Sequence, residues 1–144
     1  ATPEVAAANE ELTGMIPLPP EPAEYFGVAR YTYINSIGAG LSINNGSASY
    51  SGWVEPHMND GNTYYCTVTV ELMKFDNGAW NVVPSSAIYG TCYTSSGESA
   101  AVSKSSFSVE RGYNYMARTT GTAKPTGGST ETQYAYSDQV YAKF

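Results

Sequence analysis

The chain contains one histidine, so His57 must serve any reaction that needs an imidazole base. A Ser-His-Asp triad also needs a serine held on a strained turn, and no Gly-x-Ser-x-Gly sequence occurs in the chain. Glu55, His57 and Asp60 are close enough in sequence to suggest a shared metal ion. Zinc sites, however, generally use three or four well-placed ligands. We therefore expect His57 to be a surface-loop residue without a catalytic role.

Acidic side chains are the second possible source of chemistry, because a pair of carboxylates can hydrolyse a glycosidic bond. One member of such a pair must lie in an apolar pocket that raises its pKa. The candidates lie instead in turns or on strand faces expected to contact water: Glu55, Asp60, Glu71, Asp76, Glu98, Glu110, Glu131 and Asp138. The segments 59–62 and 76–78 also lack the spaced ligands of an EF-hand loop. The sequence therefore predicts no catalytic residue, no metal ligand and no cofactor.

The two cysteines are the remaining reactive side chains, at positions 66 and 92. If a hairpin turn is centred near Asn77, simple pairing places Cys66 opposite a residue near Tyr89. An insertion of a few residues around Pro84 moves that partner to Cys92. We therefore predict a disulfide between Cys66 and Cys92, which suits an exported protein. A catalytic thiol would instead need a nearby base, in a chain with a single histidine.

Turn signals and alternating strands make up the chain from Arg30 onward. Six glycine-containing turn signals separate seven stretches, and they fall at residues 44–46, 59–62, 76–78, 95–97, 111–112 and 126–128. Asn-Gly and Asp-Gly pairs tolerate the positive φ angles of tight hairpins. Apolar and polar residues alternate between the turns, as in half-buried strands. Pro84 interrupts the fourth stretch, which predicts an edge strand broken by a bulge.

The number of strands predicts the architecture. Seven antiparallel strands cannot bury both faces as one open sheet, so two packed sheets are expected. We predict an all-β, immunoglobulin-like Greek-key sandwich over residues 29–144. A closed β-barrel is the alternative, because hairpin signals do not reveal which strands cross between sheets. Residues 1–28 are rich in proline and glutamate, and their prolines favour an extended tail or spacer outside the core.

The composition indicates an exported protein and excludes two classes of partner. Charged residues make up 14% of the 144 residues, against roughly 25% in typical soluble domains. The formal net charge of −6 repels phosphate backbones and anionic bilayers, so neither nucleic acid nor a membrane surface is an expected partner. No apolar run is long enough for a membrane helix. We expect secretion, with the signal peptide already removed.

The sequence is unusually rich in tyrosine, with 13 residues. Most of these rings are expected to fill the edges of the core. Tyr65 and Trp53 are the expected exceptions, because each falls on the polar side of its strand. If the turn at 59–62 pairs their strands as a hairpin, the two rings form one patch that contacts a ligand or a protein partner.

Two resemblances support this fold. The sequence Val-Glu-Arg-Gly-Tyr-Asn-Tyr at residues 109–115 resembles the turn before a late strand in fibronectin-III and other immunoglobulin-like sandwiches, which implies a tyrosine corner. Residues 31–141, including segments 64–70, 78–80 and 134–137, are similar to small exported proteins of unknown function from Gram-positive gut anaerobes. The resemblance implies the fold and export, and it supplies no catalytic residue.

These observations favour a non-catalytic extracellular module, on a bacterial surface or released from it, that mediates adhesion or binds an extracellular protein or glycan. The alternative is a carbohydrate-binding module proper, which would present Trp and Tyr on one exposed sheet face or loop rim. A secreted hydrolase is a third hypothesis, and the residue sets that it requires are missing.

Overall fold

The computed structural model describes residues 32–58 and 60–144, so the predicted tail at 1–28 lies outside the described residues. The described chain is all-β, and none of its residues forms a helix that could cross a membrane. Its nine strands are β1 (Ile34–Asn44), β2 (Ser47–Pro56), β3 (Tyr64–Asp76), β4 (Ala79–Val82), β5 (Ile88–Thr94), β6 (Ala100–Ser108), β7 (Asn114–Pro125), β8 (Glu131–Tyr136) and β9 (Val140–Tyr141).

The strands form two antiparallel sheets. One sheet has three strands in the order β1-β2-β6. The other has six strands in the order β4-β3-β7-β8, with β5 also paired to β3 and β9 also paired to β7. Because the two sheets share no strand, the closed barrel considered as the alternative is wrong. The prediction of two packed sheets is confirmed at this level.

The core lies between the sheets, and alternation along the strands decides which residues enter it. On β3 the inward residues are at most 1% exposed: Tyr64, Cys66, Val68, Val70 and Leu72. From the three-stranded sheet, Ala48, Tyr50 and Val54 face them and are at most 3% exposed. Since successive side chains of a strand point to opposite faces, Tyr65, Thr67 and Thr69 lie on the outer face of the six-stranded sheet. The predicted inward face of this strand is confirmed.

The nine strands correspond to the seven predicted stretches, because the fourth and the seventh are each interrupted. β4 and β5 pair with successive parts of the same edge of β3. In the gap between them, the buried Ser86 replaces the missing strand: its Oγ accepts a hydrogen bond from the Leu72 N–H at 3.0 Å. The prediction of an edge strand broken near Pro84 is confirmed.

The predicted turns form, but three of them, at 59–62, 95–97 and 111–112, join strands of different sheets and are not hairpins. All six turn regions contain a glycine with positive φ: Gly46, Gly61, Gly78, Gly97, Gly112 and Gly127. Asn45-Gly46 and Asn77-Gly78 make two-residue hairpins, with positive φ at both positions. The segment 57–63 instead carries the chain from β2 in one sheet to β3 in the other. The hairpin expected at 59–62 is therefore wrong.

Glu131 joins the first described residues to β8. Its carboxylate accepts hydrogen bonds from the backbone N–H groups of Thr32, Tyr33 and Ile34 at 3.0, 2.7 and 3.0 Å. The side chain of Gln133 donates a further bond to the same carboxylate at 3.1 Å. One side chain of the six-stranded sheet thus holds the start of β1, which belongs to the three-stranded sheet.

Candidate binding face

The two predicted contact residues, Trp53 and Tyr65, are both partly exposed, at 39% and 43%. They nevertheless lie on different sheets, Trp53 on β2 and Tyr65 on β3, and each points away from the shared core. The single patch expected from these two rings is therefore wrong. The physical reason is the crossing at 57–63, which replaces the hairpin that would have brought them together.

The Trp53 side chain contacts residues of its own sheet. Its ring covers Gly38, its register partner on β1, where a Cβ atom would lie 2.1 Å from the Cη2 atom of the indole. Its Nε1–H donates a hydrogen bond to the Ser36 hydroxyl at 3.0 Å. The surrounding face carries small hydroxyl side chains: Ser36, Ser42, Ser49, Ser51 and Ser103. Trp53 therefore fills the space left by a glycine on a flat, serine-rich surface.

Tyr65 belongs to a group of exposed tyrosines on β3 and β5. Tyr93 is its direct cross-strand partner and is 67% exposed. Tyr89 lies on the same face of β5, opposite Thr69, and is 62% exposed. We call the surface formed by Tyr65, Tyr89 and Tyr93 with Thr67, Thr69 and Thr91 the tyrosine face.

Tyr89 and Tyr93 were not predicted as contact residues from the sequence, although strand parity contained the signal. Ile88, Gly90 and Cys92 face the core side of β5, which leaves Tyr89 and Tyr93 on the outer side. Gly90 also brings β5 close to the other sheet, because a Cβ atom there would lie 2.5 Å from Cγ1 of Val102 on β6. This close approach fixes the position of the strand that carries two of the three rings.

Two of the tyrosine side chains on this face contact each other. A hydrogen bond between the side chains of Tyr65 and Tyr89 raises the pKa of Tyr89 above its usual value. On the same face, the hydroxyl groups of Thr67 and Thr122 share a hydrogen bond between β3 and β7. The rings therefore belong to a regularly paired sheet, and not to a loop.

Charge is sparse on this face. The strand β5 contains no charged residue. Glu71 and Arg118 neutralise each other through an ion pair of 2.8 Å between Oε1 and Nη2. Among the described residues of β3 and β7, Lys124, the register partner of Tyr65, is an exposed cation on this face with no ion pair. The face is therefore nearly neutral.

Several of the candidate acidic residues have structural roles. Asp60 accepts hydrogen bonds from the Tyr64 hydroxyl and the Asn62 N–H, and these bonds hold the pKa of its carboxyl group below the usual value. Glu110 pairs with Lys74 at 2.9 Å, which lowers the pKa of this glutamate. His57 is half-buried at the start of the crossing segment. The described residues include no group of three His, Cys, Asp or Glu side chains that could hold a metal ion.

The two cysteines lie on the core side of the strands that carry the tyrosine face. Cys66 and Cys92 are direct register partners, as predicted. They are nevertheless free thiols in the structure, so the predicted bond between them is not present. Burial, with a smaller effect of the neighbouring Cys92, raises the pKa of Cys66 to about 11. Cys92 is only partly buried and is the more accessible of the two thiols.

No protein-family model matches this chain, and no curated protein is significantly similar to it in sequence. The residues of this chain are therefore the evidence for its function, and the tyrosine face is the candidate binding site.

Proposed function

We propose that this protein is a non-catalytic extracellular module that binds a protein or a glycan through its tyrosine face. One observation carries the proposal: three tyrosine rings, 43%, 62% and 67% exposed, share one surface of a regular sheet. Exposed apolar surface on a monomer typically marks an interaction site. Tyrosine also loses little conformational entropy on binding, because its ring is rigid. Adhesion is the role that we assign to such a surface.

We infer that the two sheets have the Greek-key connectivity of immunoglobulin-like sandwiches. The sheet orders β1-β2-β6 and β4-β3-β7-β8 support this inference, since three connections cross from one sheet to the other. The hydroxyl group of Tyr115 also donates a hydrogen bond to the backbone carbonyl of Glu110 at 3.0 Å, five residues upstream. This is the hydrogen bond of a tyrosine corner, a hallmark of such sandwiches.

Export and the disulfide belong to the same proposal. Cross-strand partners in an antiparallel pair have Cα atoms about 4.5 to 5.5 Å apart, within the range that a disulfide spans. Cys66 and Cys92 are such partners. We propose that they become bonded after export, because disulfides persist in oxidising compartments.

Site-directed variants of the whole chain test the binding face. Arrays of extracellular proteins and of glycans identify a ligand, and titration calorimetry then measures its affinity. Tyr65→Ala and Tyr89→Ala should each weaken binding by about 1 kcal/mol or more. Trp53→Ala is the matched control, because it removes a similarly exposed ring from the other sheet. His57→Ala should also leave affinity unchanged. Equal losses in the tyrosine variants and in Trp53→Ala would contradict the proposal.

A further inference from the structure

A row of four threonines crosses the outer face of the six-stranded sheet. Each is the register partner of the next, on β5, β3, β7 and β8 in turn: Thr91, Thr67, Thr122 and Thr132. Neighbouring strands are about 4.8 Å apart, so this threonine row extends roughly 14 Å across the strands. Thr91 is exposed and the other three are half-buried. The row therefore presents a line of hydroxyl groups at the surface.

Tyrosines border the threonine row on both sides. The row before it carries Tyr93 and Tyr65. The row after it begins with Tyr89 on β5 and ends with Tyr134 on β8, because Thr69 and Thr120 link these two through successive register pairs. Residues two apart on one face of a strand are about 7 Å apart. Tyrosines therefore border the strip of hydroxyl groups on both sides, and the side chains of Tyr65 and Tyr89 reach across it to hydrogen-bond each other.

The chemistry of these rows restricts the ligand. A highly charged ligand would lose hydration here and gain little in return, because among the described residues of β3, β5 and β7 on this face only Lys124 offers it an ionic partner, while Glu71 and Arg118 neutralise each other. A purely apolar ligand would cover the exposed Thr91 hydroxyl group without offering it a partner, whereas Thr67 and Thr122 already bond each other. A neutral ligand that combines apolar faces with many hydroxyl groups satisfies both conditions.

We propose that the tyrosine face and the threonine row bind a neutral polysaccharide. Its sugar rings stack on Tyr65, Tyr89 and Tyr93, and its hydroxyl groups exchange hydrogen bonds with Thr91 and Thr67. Protein interfaces more often centre on a dry apolar core, whereas threonines stand between these rings. This inference rests on the proposed function and specifies the ligand of the same face.

Binding to defined polysaccharides tests the inference with the whole chain. Mixed-linkage β-glucan, arabinoxylan and galactomannan are the neutral probes, and polygalacturonate is the anionic control. We expect at least one neutral probe to retard the protein in affinity electrophoresis, with an affinity unchanged between 50 and 500 mM salt, since no ion pair contributes. Tyr89→Ala, Tyr93→Ala and Thr67→Val should each weaken that binding by about five-fold or more. Ser49→Ala, on the other sheet, should leave it unchanged.

The outcomes separate this inference from the proposed function. Binding to a neutral probe that the tyrosine and threonine variants leave intact would overturn the assignment to this face. Failure to bind any neutral probe, together with tyrosine-dependent binding to an arrayed protein, would overturn the ligand class and leave the proposed function standing. Preference for polygalacturonate would also overturn the ligand class. If the folded protein binds neither proteins nor glycans, both proposals fail.

Discussion

Thr119 reaches across the core to Gly38, and its hydroxyl group donates a hydrogen bond to the Gly38 carbonyl oxygen at 2.9 Å. Thr119 is fully buried on β7, whereas Gly38 belongs to β1 in the other sheet. The threonine hydroxyl occupies the space beside Gly52 on β2, where a Cβ atom would lie 2.1 Å from it. The absence of a side chain at Gly52 therefore makes this connection between the sheets possible.

Gly52→Ala should destabilise the protein by about 1 to 3 kcal/mol, because the added methyl group displaces Thr119 and the neighbouring Val70. Urea denaturation measures the change in the free energy of unfolding. Gly40→Ala is the matched control on the neighbouring strand: its Cβ atom would meet only the Ser51 hydroxyl, at 3.4 Å. We expect a change within about 0.5 kcal/mol for this control. Similar losses in both variants would contradict the explanation.

Ser86→Ala should cost about 1 to 3 kcal/mol, because it leaves the buried Leu72 N–H without its acceptor. The alanine also removes the bond from the Ser86 hydroxyl to the Val83 carbonyl, which is 2.7 Å long. Hydrogen exchange at the Leu72 amide should accelerate in the variant. Ser95→Ala, at an exposed turn position, should change neither the free energy of unfolding nor the exchange rate at the Leu72 amide. An unchanged exchange rate at Leu72 would show that the hydroxyl group does not replace the missing strand.

Tyr115→Phe removes the bond to the Glu110 carbonyl and keeps the buried ring, so it should cost about 0.5 to 1.5 kcal/mol. Burial also raises the pKa of Tyr115 above its ordinary value. The folded state therefore resists ionisation of this phenol, and its contribution to stability is lost as the pH rises above about 10. Denaturation measured between pH 8 and 11 should show that the free energy of unfolding falls less steeply with pH in the variant than in the unmodified protein. Tyr93→Phe, which is the same change at an exposed position, should keep the steep profile.

Cys66 and Cys92 should be bonded in freshly secreted protein, and intact mass after alkylation without reductant tests this. Two alkylated thiols would contradict the prediction. Replacing both cysteines with alanine should lower the free energy of unfolding by roughly 2 to 5 kcal/mol and leave the fold recognisable.

Reduced protein should show a pH dependence that bonded protein lacks. The pKa of Cys66 is raised to about 11 in the folded state, against about 8.5 for an unfolded thiol. The unfolded chain therefore ionises first, so the stability that the buried thiol contributes is complete below about pH 8 and falls as the pH rises toward 11. The difference between reduced protein and Cys66→Ala isolates this contribution. A flat difference across that range would contradict it.

Local pattern was sufficient where strand parity or turn chemistry decides the structure. The inward residues of β3, the Asn45-Gly46 and Asn77-Gly78 hairpins, the broken edge at Pro84 and the Cys66–Cys92 register follow from neighbouring residues. The crossing at 57–63 does not, because its glycine and polar residues suit a hairpin and a crossover equally well. Whether the segment forms a hairpin or a crossover depends on how the two sheets pack, and the local sequence does not contain that information.

The tyrosine face did not depend on that choice. Tyr65 could be assigned to an outer surface from β3 alone. Its neighbours follow from the pairing of β3 with β5, which the predicted Cys66–Cys92 register already contains, and parity on β5 then places Tyr89 and Tyr93 on the same face. The threonine row spans four strands that are distant in sequence, so it is visible only once their registers are known.

The bonds from Glu131 to the backbone of Thr32, Tyr33 and Ile34 have a mechanical consequence. Tension applied to the chain before Thr32 reaches β1 and, through this carboxylate, β8 at the same time. The load is then shared between the two sheets. The strand β1 cannot separate from β2 one hydrogen bond at a time until the hydrogen bonds to the Glu131 carboxylate break. A protein that holds its ligand under flow would gain resistance to pulling from this single side chain.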